Sequence, residues 1–464
     1  MKKTLILTLG LLQLGSCFLI PPSLTDGALG RLRKQLNKYE LYEVGPNRVR
    51  FDSHEVWRVN VVNDVQVKVL HSLEEVGDVD IWANSPTLHY MDIRVEPENV
   101  KSVRAAIDAL SPAPSVSILI DDVQSLIEKE NIKHALMDDD SDNQQVLGDS
   151  SSSKDYFTSY HKIEEIQHFY DSLQKQYPDL VKPVEVGKTY EGRVIKGIEI
   201  DATNGTKANV RDVVFHGGIH AREWIGPAVV TYMANELLSK YKEDNTVTDL
   251  LSKFRFVIIP VLNVDGYVYT HEKNRMWRKN RQPNSLPFCV GTDPNRNWGY
   301  KWGKGGSSTS PCSEAYQGPS AFSAPEAKAM ADYLKRRAPN VVAYIDFHAY
   351  SQLWMSPFGA DCNEYPKDND KIQAAGNAAA KALKAVHGSS FAVGSICEII
   401  YQASGSSVDW AYAEANVTYS YGVELRDRGK YGFILPADQI IPSGEETFAA
   451  LVALTQYIAK DLQL

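Results

Sequence analysis

The sequence predicts a large α/β domain, built on a mixed, mostly parallel sheet flanked by helices, with a smaller α+β domain before it. Three observations support this fold class. From Tyr156 onward, apolar strands alternate with amphipathic helices, as in sheets that are covered on both faces. A βαββαβ order of elements precedes them, between Glu55 and Ile120. An aspartate- and serine-rich stretch without apolar periodicity, residues 138–154, separates the two patterns.

The smaller domain is predicted from six consecutive segments. Apolar alternation indicates strands in EVWRVNV, DVDIWA, HYMDIRV and PSVSILI. Helical periodicity appears in DVQVKVLHSLEEV and in PENVKSVRAAIDAL, which Pro97 opens. This order is the ferredoxin-like one, an antiparallel sheet with two helices on one face. The segment DDVQSLIEKENIKHAL then predicts a helix that leads out of the domain.

The larger domain is predicted from a longer series of the same two patterns. Helices are expected at KIEEIQHFYDSLQKQY, PAVVTYMANELLSKYK, APEAKAMADYLKRR, IQAAGNAAAKALKAV and EETFAALVALTQYIAKDL. Strands are expected at VIKGIEI, DVVFHGG, FRFVIIPVLN, NVVAYIDFHA and VTYSYGVEL. Chemistry in such sheets sits where strands end, and His220, His348 and Glu424 lie near such ends.

The N-terminus carries a targeting signal. MKKTLILTLGLLQLGSCF has two lysines, a short apolar run and then small residues, which predicts a secretory signal peptide over residues 1–17. A membrane anchor and a lipoprotein signal ending at Cys17 are the alternatives, although the apolar run is short for a membrane span. Sequons at Asn204 and Asn416 fit an exported chain. We therefore expect secretion to the extracellular space.

The charge balance excludes one class of partner. The formal net charge is −9, and no long Lys/Arg cluster gives the basic face that phosphate binding needs. Neither a nucleic acid nor a membrane is expected as a partner.

The predicted organisation is a signal peptide (1–17), then an extension, the α+β domain and the linker (18–154), then the α/β domain (155–464). The role of residues 18–50 is unassigned.

The cysteines predict two disulfides. Removal of Cys17 with the signal leaves Cys289, Cys312, Cys362 and Cys397, an even number in an exported chain. Four cysteines allow three pairings, and proximity in the sequence favours Cys289–Cys312 and Cys362–Cys397. A cysteine zinc site is disfavoured because the chain has no C-x-x-C pair.

A metal site is suggested by the stretch FHGGIHAREW. It places His220 and Glu223 three residues apart after a strand, and a nitrogen and a carboxylate at that spacing can share a zinc ion. Elimination among the eleven histidines leaves His216 and His348 as the third ligand. His216 precedes a Gly-Gly turn and is more often a packed histidine. His348 ends an apolar strand and completes a His₂Glu set, although taken alone it is more often a core residue.

A series of motifs, in order, resembles one family. HGGIHAREW, NVDGY, RMWRKNR, DPNRNW, DFHAYSQ, YQASGSSVDW and ELRDRGKYGFILP are similar to the A/B group of zinc metallocarboxypeptidases, across residues 156–464. The smaller domain resembles the inhibitory prosegment of that family, including DDVQSLI. The resemblance implies a carboxypeptidase-like fold and a zymogen. The cysteines agree with it, since two disulfides occur at these places in the family or in some of its members.

The resemblance also implies catalytic roles. His220, Glu223 and His348 would bind one zinc ion per chain, which lowers the pKa of its water to roughly 7 and polarises a carbonyl. Glu424 would be the general base that takes the proton of this water and returns it to the leaving amine. The alternative for Glu424 is a buried salt bridge with an arginine. Arg278 would stabilise the oxyanion, and its alternative is a solvated cation.

Further positions would hold the substrate. Asn295 and Arg296 match residues that capture a terminal carboxylate, with a loop turn as the plainer interpretation. Tyr401 would close over that carboxylate from a Gly/Ser-rich loop. Arg222 and Phe433 match positions that line the groove. The resemblance further makes Asp293 a partner that orients His220.

Specificity is expected from the floor of the pocket. In the family, an acidic residue just before the Asp-Trp pair selects Lys/Arg C termini, and here that position is Val408. Ile396, Ile400 and Gly422 would also line the pocket. Aliphatic or aromatic C-terminal residues are therefore expected, because an unpaired cation would be costly there. Two positions depart from the family pattern: Ser406 replaces a usual glycine, and Gly422 replaces a bulkier residue, which should deepen the pocket.

The sequence thus predicts a secreted, monomeric zymogen that cleaves single residues from peptide C termini once a protease cuts the linker. Lys133 and Lys154 flank the linker and suit a trypsin-like protease. One rival is release of Lys or Arg, and another is a catalytically dead, protein-binding relative. A serine hydrolase is disfavoured because no G-x-S-x-G motif occurs.

Overall fold

The computed structural model describes residues 48–85, 89–138, 153–203, 205 and 210–464. The predicted signal peptide, nearly all of the 18–50 extension, most of the linker and the Asn204 sequon lie outside the described residues. The boundaries predicted for these segments stay predictions.

The smaller domain has the predicted βαββαβ order. Its strands are β1 (Glu55–Asn60), β2 (Val79–Ser85), β3 (Tyr90–Val95) and β4 (Ser115–Ile120). Its helices are α1 (Asp64–Glu75) and α2 (Val100–Asp108), and α3 (Val123–Asp138) leads out of it. The sheet is antiparallel throughout, in the order β2-β3-β1-β4. This arrangement confirms the expected ferredoxin-like fold.

The apolar positions of β1, β3, α1 and α2 form a separate small core between the sheet and the two helices. Its fully buried members are Val59, Leu70, Met91, Ile93, Val95, Val103 and Ile107. The start of α1 is fixed by Asn63, whose side chain accepts a hydrogen bond from the N–H of Gln66 at 3.0 Å. The domain therefore has its own core as well as an outer face of the sheet that can contact other elements.

The larger domain is built on an eight-stranded mixed sheet. Its strands are β5 (Val181–Lys188), β6 (Val194–Ile200), β7 (Arg211–Gly217), β8 (Phe254–Ile259), β9 (Val341–His348), β10 (Leu353–Ser356), β11 (Ala392–Ser395) and β12 (Tyr419–Glu424). The order is β11-β10-β12-β9-β7-β8-β6-β5. Strands β12, β9, β7 and β8 run parallel to one another, so their carboxyl ends meet at one edge.

Helices cover both faces of this sheet. They are α4 (Ser153–Tyr156), α5 (Ile163–Gln176), α6 (Ile225–Ser239), α7 (Asn245–Leu251), α8 (Val264–Glu272), α9 (Pro325–Arg337), α10 (Asn369–His387), α11 (Ile396–Ile399), α12 (Ser407–Ala413) and α13 (Ile440–Asp461). The long α13 packs on α10 and α6 and buries an apolar stripe that includes Leu451, Leu454 and Ile458. The predicted mixed sheet flanked by helices is confirmed.

The structure adds three strands that the sequence analysis did not predict. β5 is an edge strand that contains Pro183 and an exposed Lys182, and its composition hides the alternation. β10 and β11 have four residues each, too few for a clear period. All three lie at or near the sheet edges, whereas the central strands follow the predicted segments.

Both predicted disulfides are present, Cys289–Cys312 and Cys362–Cys397. They tie loops next to the carboxyl edge of the sheet. Within the described part of the chain, no helix combines the length and the apolar character that a membrane crossing requires. The sequon residue Asn416 lies exposed in the turn before β12.

Candidate active site

Three metal-ligating side chains converge at the carboxyl edge of the sheet. His220 and Glu223 lie in the turn after β7, and His348 is the last residue of β9. The turn requires glycine, because a Cβ on Gly217 would lie 2.7 Å from the carbonyl carbon of Gly226. The next residue, Gly218, has a φ of +62°, which a side chain would disfavour. The sequence HGG thus lets the chain turn sharply and bring its ligands to the end of β9.

The geometry of this group suits one divalent ion. Nδ1 of His220 lies 2.9 Å from Oε1 of Glu223, and Nδ1 of His348 lies 3.1 Å from Oε2 of the same carboxylate. The two Nδ1 atoms are 3.2 Å apart. One ligand atom from each residue lies within 4.8 Å of the others, and all three residues are buried. Two imidazole nitrogens and a carboxylate that face one another are the donor set of a His₂Glu zinc site.

The outer nitrogens of both histidines face carboxylates. Nε2 of His220 lies 3.1 Å from Oδ1 of Asp293, and Nε2 of His348 lies 3.0 Å from Oδ2 of Asp346. Such partners fix the ring orientation of ligand histidines. Burial alone would raise the pKa of Glu223, but the two histidines hold that pKa below its usual value. The carboxylate is therefore kept in the ionised form that binds a metal.

Glu424 lies beside the metal-ligating group. It ends β12 and pairs in register with His348, the last residue of the parallel neighbour β9. Its Oε2 is buried and makes no hydrogen bond within the described residues. Burial raises the pKa of Glu424 to about 8. The nearby His348 lowers this pKa, and the negative charge of Glu223 raises it. A carboxylate with this environment can exchange protons with a group in the cleft.

Arg278 lies on the other side of the group. Its Nη2 donates to Oδ2 of Asp293 at 2.8 Å, and its Nη1 is 3.8 Å from Oε1 of Glu223. Asp293 therefore connects a metal ligand and a cation, because its second oxygen contacts His220. The guanidinium is positioned next to the atoms that would hold a polarised carbonyl.

Asn295, Arg296 and Tyr401 form a second polar group. Nη2 of Arg296 donates to the hydroxyl of Tyr401 at 2.7 Å, and Nδ2 of Asn295 is 3.2 Å from Nε2 of His348. Arg296 is also held by hydrogen bonds to the carbonyls of Gly306 and Asn295. Asn295 and Arg296 are neighbours in one short turn, and Tyr401 comes from a loop 105 residues later, yet all three lie beside the metal-ligating group.

An apolar cluster lies next to these groups. It contains Leu353, Met355, Ile396, Ile399, Ala403 and Val408, with Ile400 and Tyr401 packed against it. Gly422 lies opposite, and a Cβ on it would be 3.5 Å from Val408 Cγ2 and 3.7 Å from Met355 Cε. Val408 and Met355 thus lie in van der Waals contact with the position that a side chain at residue 422 would take.

The remaining two predicted groove residues contact the smaller domain. Nη1 of Arg222 lies 3.0 Å from Oδ2 of Asp80 in β2, and its guanidinium stacks 4.3 Å from the ring centre of Phe433. Phe433 in turn packs against Trp82 of β2, with ring centres 4.9 Å apart. Arg222 and Phe433 therefore lie together but are covered.

Comparison with known proteins identifies this arrangement. Residues 166–450 match the family model described as zinc carboxypeptidase, which is more than half of the chain. The chain belongs to the zinc carboxypeptidase family. Residues 57–130 match a second model, the carboxypeptidase activation peptide. The smaller domain thus corresponds to an activation peptide, and the protein is a metallocarboxypeptidase zymogen.

Individual relatives agree with this assignment. The mouse protein carboxypeptidase A2 is 38% identical over 412 residues, which cover 88% of this chain and 94% of that protein. Carboxypeptidase B from Astacus astacus is 43% identical over 304 residues, 65% of this chain and 98% of that protein. The crystal structure of carboxypeptidase A from Helicoverpa armigera is similar with a TM-score of 0.79 at 28% identity, covering 90% of this chain and 100% of that one.

The family fits the donor set, because zinc is its metal and His220, Glu223 and His348 form a group that could hold it. His216, the rival third ligand, lies elsewhere: its Nε2 is 2.5 Å from the hydroxyl of Tyr344 inside the sheet. This position agrees with the interpretation of His216 as a packed histidine and not a metal ligand.

Contacts between the activation peptide and the cleft extend beyond Arg222. The hydroxyl of Tyr350 donates to Oδ2 of Asp92 in β3 at 3.0 Å. Nε of Arg275 lies 2.7 Å from Oε2 of Glu130 in α3. Together with Asp80, three carboxylates of the activation peptide thus engage donors along the groove.

The sequence analysis missed four residues near the site: Asp346, Tyr350, Arg275 and Met355. Asp346 is a lone carboxylate in an apolar strand, which is the signal that singled out Glu424. Arg275 lies in the same basic run as Arg278. Tyr350 and Met355 had no signal in the sequence, since their positions depend on how β9 and β10 pair with neighbours.

Proposed function

We propose that this carboxypeptidase is secreted as a zymogen and, once cut, removes aliphatic or aromatic residues from peptide C termini. The observation that carries the proposal is the position of the Arg296–Tyr401 pair between the metal-ligating group and an apolar pocket. A peptide terminus needs all three at once: a cation for its carboxylate, a pocket for its side chain and a metal at its last peptide bond.

The polar group supports exopeptidase action. A guanidinium offers paired N–H donors that match a free carboxylate, and Arg296 is 5% exposed at the base of the cleft. Asn295 and Tyr401 add an amide and a phenol donor beside it. An internal peptide bond would leave Arg296 without an anionic partner in a poorly hydrated site, which disfavours endopeptidase cleavage.

The pocket supports apolar specificity. Val408 is 2% exposed and lies at the floor, with Ile396, Ile400 and Met355 around it. A Lys or Arg side chain would lose its hydration there without gaining a counter-ion. Gly422 presents no side chain of its own to this cluster, so only Val408 and Met355 would limit the substrate side chain at this point. Burying a Phe side chain in such a pocket contributes roughly 1.5–3 kcal/mol.

The chemistry follows from the residues around the metal-ligating group. When bound, zinc supplies Lewis acidity toward the scissile carbonyl and toward a water molecule. Glu424 takes a proton from the attacking water and delivers it to the leaving amine, since its raised pKa of about 8 suits both steps. Arg278 stabilises negative charge that develops on the carbonyl oxygen. Asp293 holds Arg278 and His220 in place through its two oxygens.

The activation peptide supports inhibition in the uncut chain. Asp80 and Trp82 cover Arg222 and Phe433, and Glu130 pairs with Arg275. These contacts lie along the groove that an extended peptide would need. None of the three carboxylates Asp80, Asp92 and Glu130 hydrogen-bonds, in the described structure, to the metal-ligating residues, so the block falls on substrate access rather than on the metal group.

Secretion is supported by three features of the chain. The N-terminal 17 residues have the signal pattern, both cysteine pairs are bridged, and Asn416 of a sequon lies exposed. Cleavage after Lys133 or Lys154 by a protease that recognises lysine would separate the two domains.

The test is proteolytic activation of the purified full chain with trypsin, followed by N-terminal sequencing of the large fragment. Its kcat/KM is then measured on matched peptides that end in Phe, Leu, Arg or Lys, and on a Phe peptide with a C-terminal amide. We expect release of C-terminal Phe and Leu, little release of Arg or Lys, and no cleavage of the amide. A preference for Arg would contradict the pocket assignment. A processed protein that lacks one zinc per chain and chelator-sensitive activity would instead be a dead relative.

A further inference from the structure

A buried carboxylate that the catalytic proposal does not use lies behind the metal-ligating group. Asp346 is two residues before His348 on β9, so both side chains point to the same face of the sheet. It is 0% exposed, and an ionised carboxylate at this depth needs specific partners to remain.

The two oxygens of Asp346 contact different groups. Oδ2 accepts a hydrogen bond from Oγ of Ser407 at 2.7 Å and lies 3.0 Å from Nε2 of His348. Oδ1 faces Nδ1 of His216 at 3.5 Å, and the far side of that ring meets the hydroxyl of Tyr344. No hydrogen bond joins Oδ1 to Nδ1 of His216 at this separation, so Asp346 lies between an interior histidine and a ligand histidine.

These contacts determine which nitrogen of His348 carries the hydrogen. An ionised carboxylate only accepts, so the Asp346 contact requires a hydrogen on Nε2. The Nδ2 group of Asn295, 3.2 Å from the same nitrogen, only donates and would require the opposite tautomer. The contact with the charged group is the stronger of the two. Nε2–H then leaves a lone pair on Nδ1, which points at His220 and Glu223.

The tautomer of His348 also affects Asn295, which is proposed to bind the carboxylate of the substrate. Oδ1 of Asn295 is held by the backbone N–H of Ser407 at 2.9 Å, which keeps its NH₂ group turned the other way. If Nε2 of His348 already donates to Asp346, it cannot also accept from Asn295. The NH₂ group of Asn295 is then available for a carboxylate in the cleft.

We propose that Asp346 is a positioning residue: it fixes His348 as the Nε2–H tautomer and thereby strengthens zinc binding through Nδ1. The inference rests on the assignment of His348 as a zinc ligand in the proposed function. Partners of this kind typically change metal affinity 10- to 100-fold. Asp346 also leaves the amide of Asn295 free to bind substrate.

The first experiment uses Asp346→Asn in the full chain, which keeps the shape and removes the charge. Zinc affinity is measured by competition with a chromophoric chelator, and unfolding of the zinc-free protein is followed by circular dichroism. We expect zinc to bind about 10- to 100-fold more weakly to the folded variant. After activation, excess zinc should restore most of its kcat, which a merely damaged fold would not allow.

A matched control is Tyr344→Phe, which removes a hydroxyl at the far end of the same buried chain of contacts. Its zinc affinity should stay within about twofold of the unmodified protein. A folded Asp346→Asn variant with unchanged zinc affinity overturns the inference. Equal loss in both variants also overturns it, since general disruption of the buried cluster would then explain the effect.

A second measurement decides the matter if Asp346→Asn does not fold. The ¹⁵N shifts of His348 in the zinc-free protein, assigned by comparison with His348→Ala, report the tautomer directly. A hydrogen on Nε2 that contacts a carboxylate supports the inference, and a hydrogen on Nδ1 overturns it. If His348→Ala binds zinc as tightly as the unmodified protein, the ligand assignment in the proposed function has failed, and the inference fails with it.

Discussion

The guanidinium of Arg296 donates a hydrogen bond from Nη2 to the hydroxyl of Tyr401 at 2.7 Å. The arginine is also tied to two backbone carbonyls. A C-terminal carboxylate that enters the cleft thus meets a cation that is already oriented, and a phenol that can share it.

Substitutions in this pair should raise KM more than they lower kcat. Tyr401→Phe removes one hydrogen bond, about 1 kcal/mol, so we expect KM to rise roughly 5- to 10-fold. Arg296→Lys keeps the charge but loses the paired donors, so the rise should be roughly 10- to 100-fold. Both are measured on a Phe-terminated peptide after activation. An unchanged KM for Arg296→Lys would place the carboxylate elsewhere.

Val408→Asp should reverse the substrate preference. A carboxylate at the pocket floor disfavours an aromatic side chain and offers a partner to a cation, so kcat/KM should fall roughly 100-fold for Phe and rise for Arg. Val408→Asn is the control with similar shape and no charge, and it should lose activity on Phe without gaining any on Arg. A Val408→Asp enzyme that still prefers Phe would show that the floor does not control selection.

Glu424→Gln should abolish turnover and leave the metal in place. Loss of a general base costs roughly 100- to 10,000-fold in kcat, and Glu424 is outside the group that holds the metal. Glu326→Gln is the control: this glutamate is fully buried and accepts a hydrogen bond from Asn280, away from the metal-ligating residues. Zinc content and kcat are measured together, and a Glu424→Gln enzyme with more than about a tenth of normal kcat would contradict the role.

Asp80→Asn should weaken inhibition in the uncut chain. The substitution removes the charge that pairs with Arg222 and Arg94, so we expect the zymogen to hydrolyse a decapeptide at least about 10-fold faster, equal to about 1.4 kcal/mol. Asp64→Asn, at the exposed first residue of α1 in the same domain, should have no effect. After trypsin treatment all three proteins should have the same activity. Equal zymogen activity would show that other contacts block the groove.

The stability of the protein should depend on Asp409. Burial raises the pKa of Asp409 to about 6, even though its oxygens accept hydrogen bonds from the N–H groups of Gly359 and Ala360. A raised folded-state pKa favours folding most below about pH 4, and this contribution is lost as the pH rises through about 6. Two pKa units correspond to about 3 kcal/mol.

Asp409→Asn lacks this titration, so the stability advantage of the unmodified chain over the variant should shrink by up to about 3 kcal/mol between pH 4 and pH 7. Denaturant unfolding of the full chain at the two pH values measures the difference. An advantage that stays constant or grows with pH would contradict the assignment.

The central part of the fold could be predicted from the sequence because burial imposes its own composition. β7, β8, β9 and β12 are apolar runs between amphipathic helices, and the structure contains all of them. The edge strand β5 was missed because its solvent-facing residues and Pro183 remove the pattern. Short elements such as α11 have too few residues for any period to emerge.

The candidate site divides along similar lines. His220 and Glu223 are close in sequence, and the turn that joins them is local, so their spacing predicts a shared ion. The link from His348 to Asp346 was missed, although both lie on one strand, because a lone carboxylate in an apolar run indicates that a partner exists without identifying it. The pairing of Glu130 with Arg275 joins residues 145 positions apart and depends on how two domains pack.

His348 and Glu424 are paired in register on the neighbouring parallel strands β9 and β12. The spacing between a metal ligand and the base is therefore set by backbone hydrogen bonds rather than by flexible loops. A single residue inserted within β12 would turn Glu424 to the opposite face of the sheet. A residue inserted in the exposed loop around Asn416 would preserve the pairing of Glu424 with His348. Length changes in this family should accordingly accumulate in turns and spare these two strands, whatever substrate each enzyme selects.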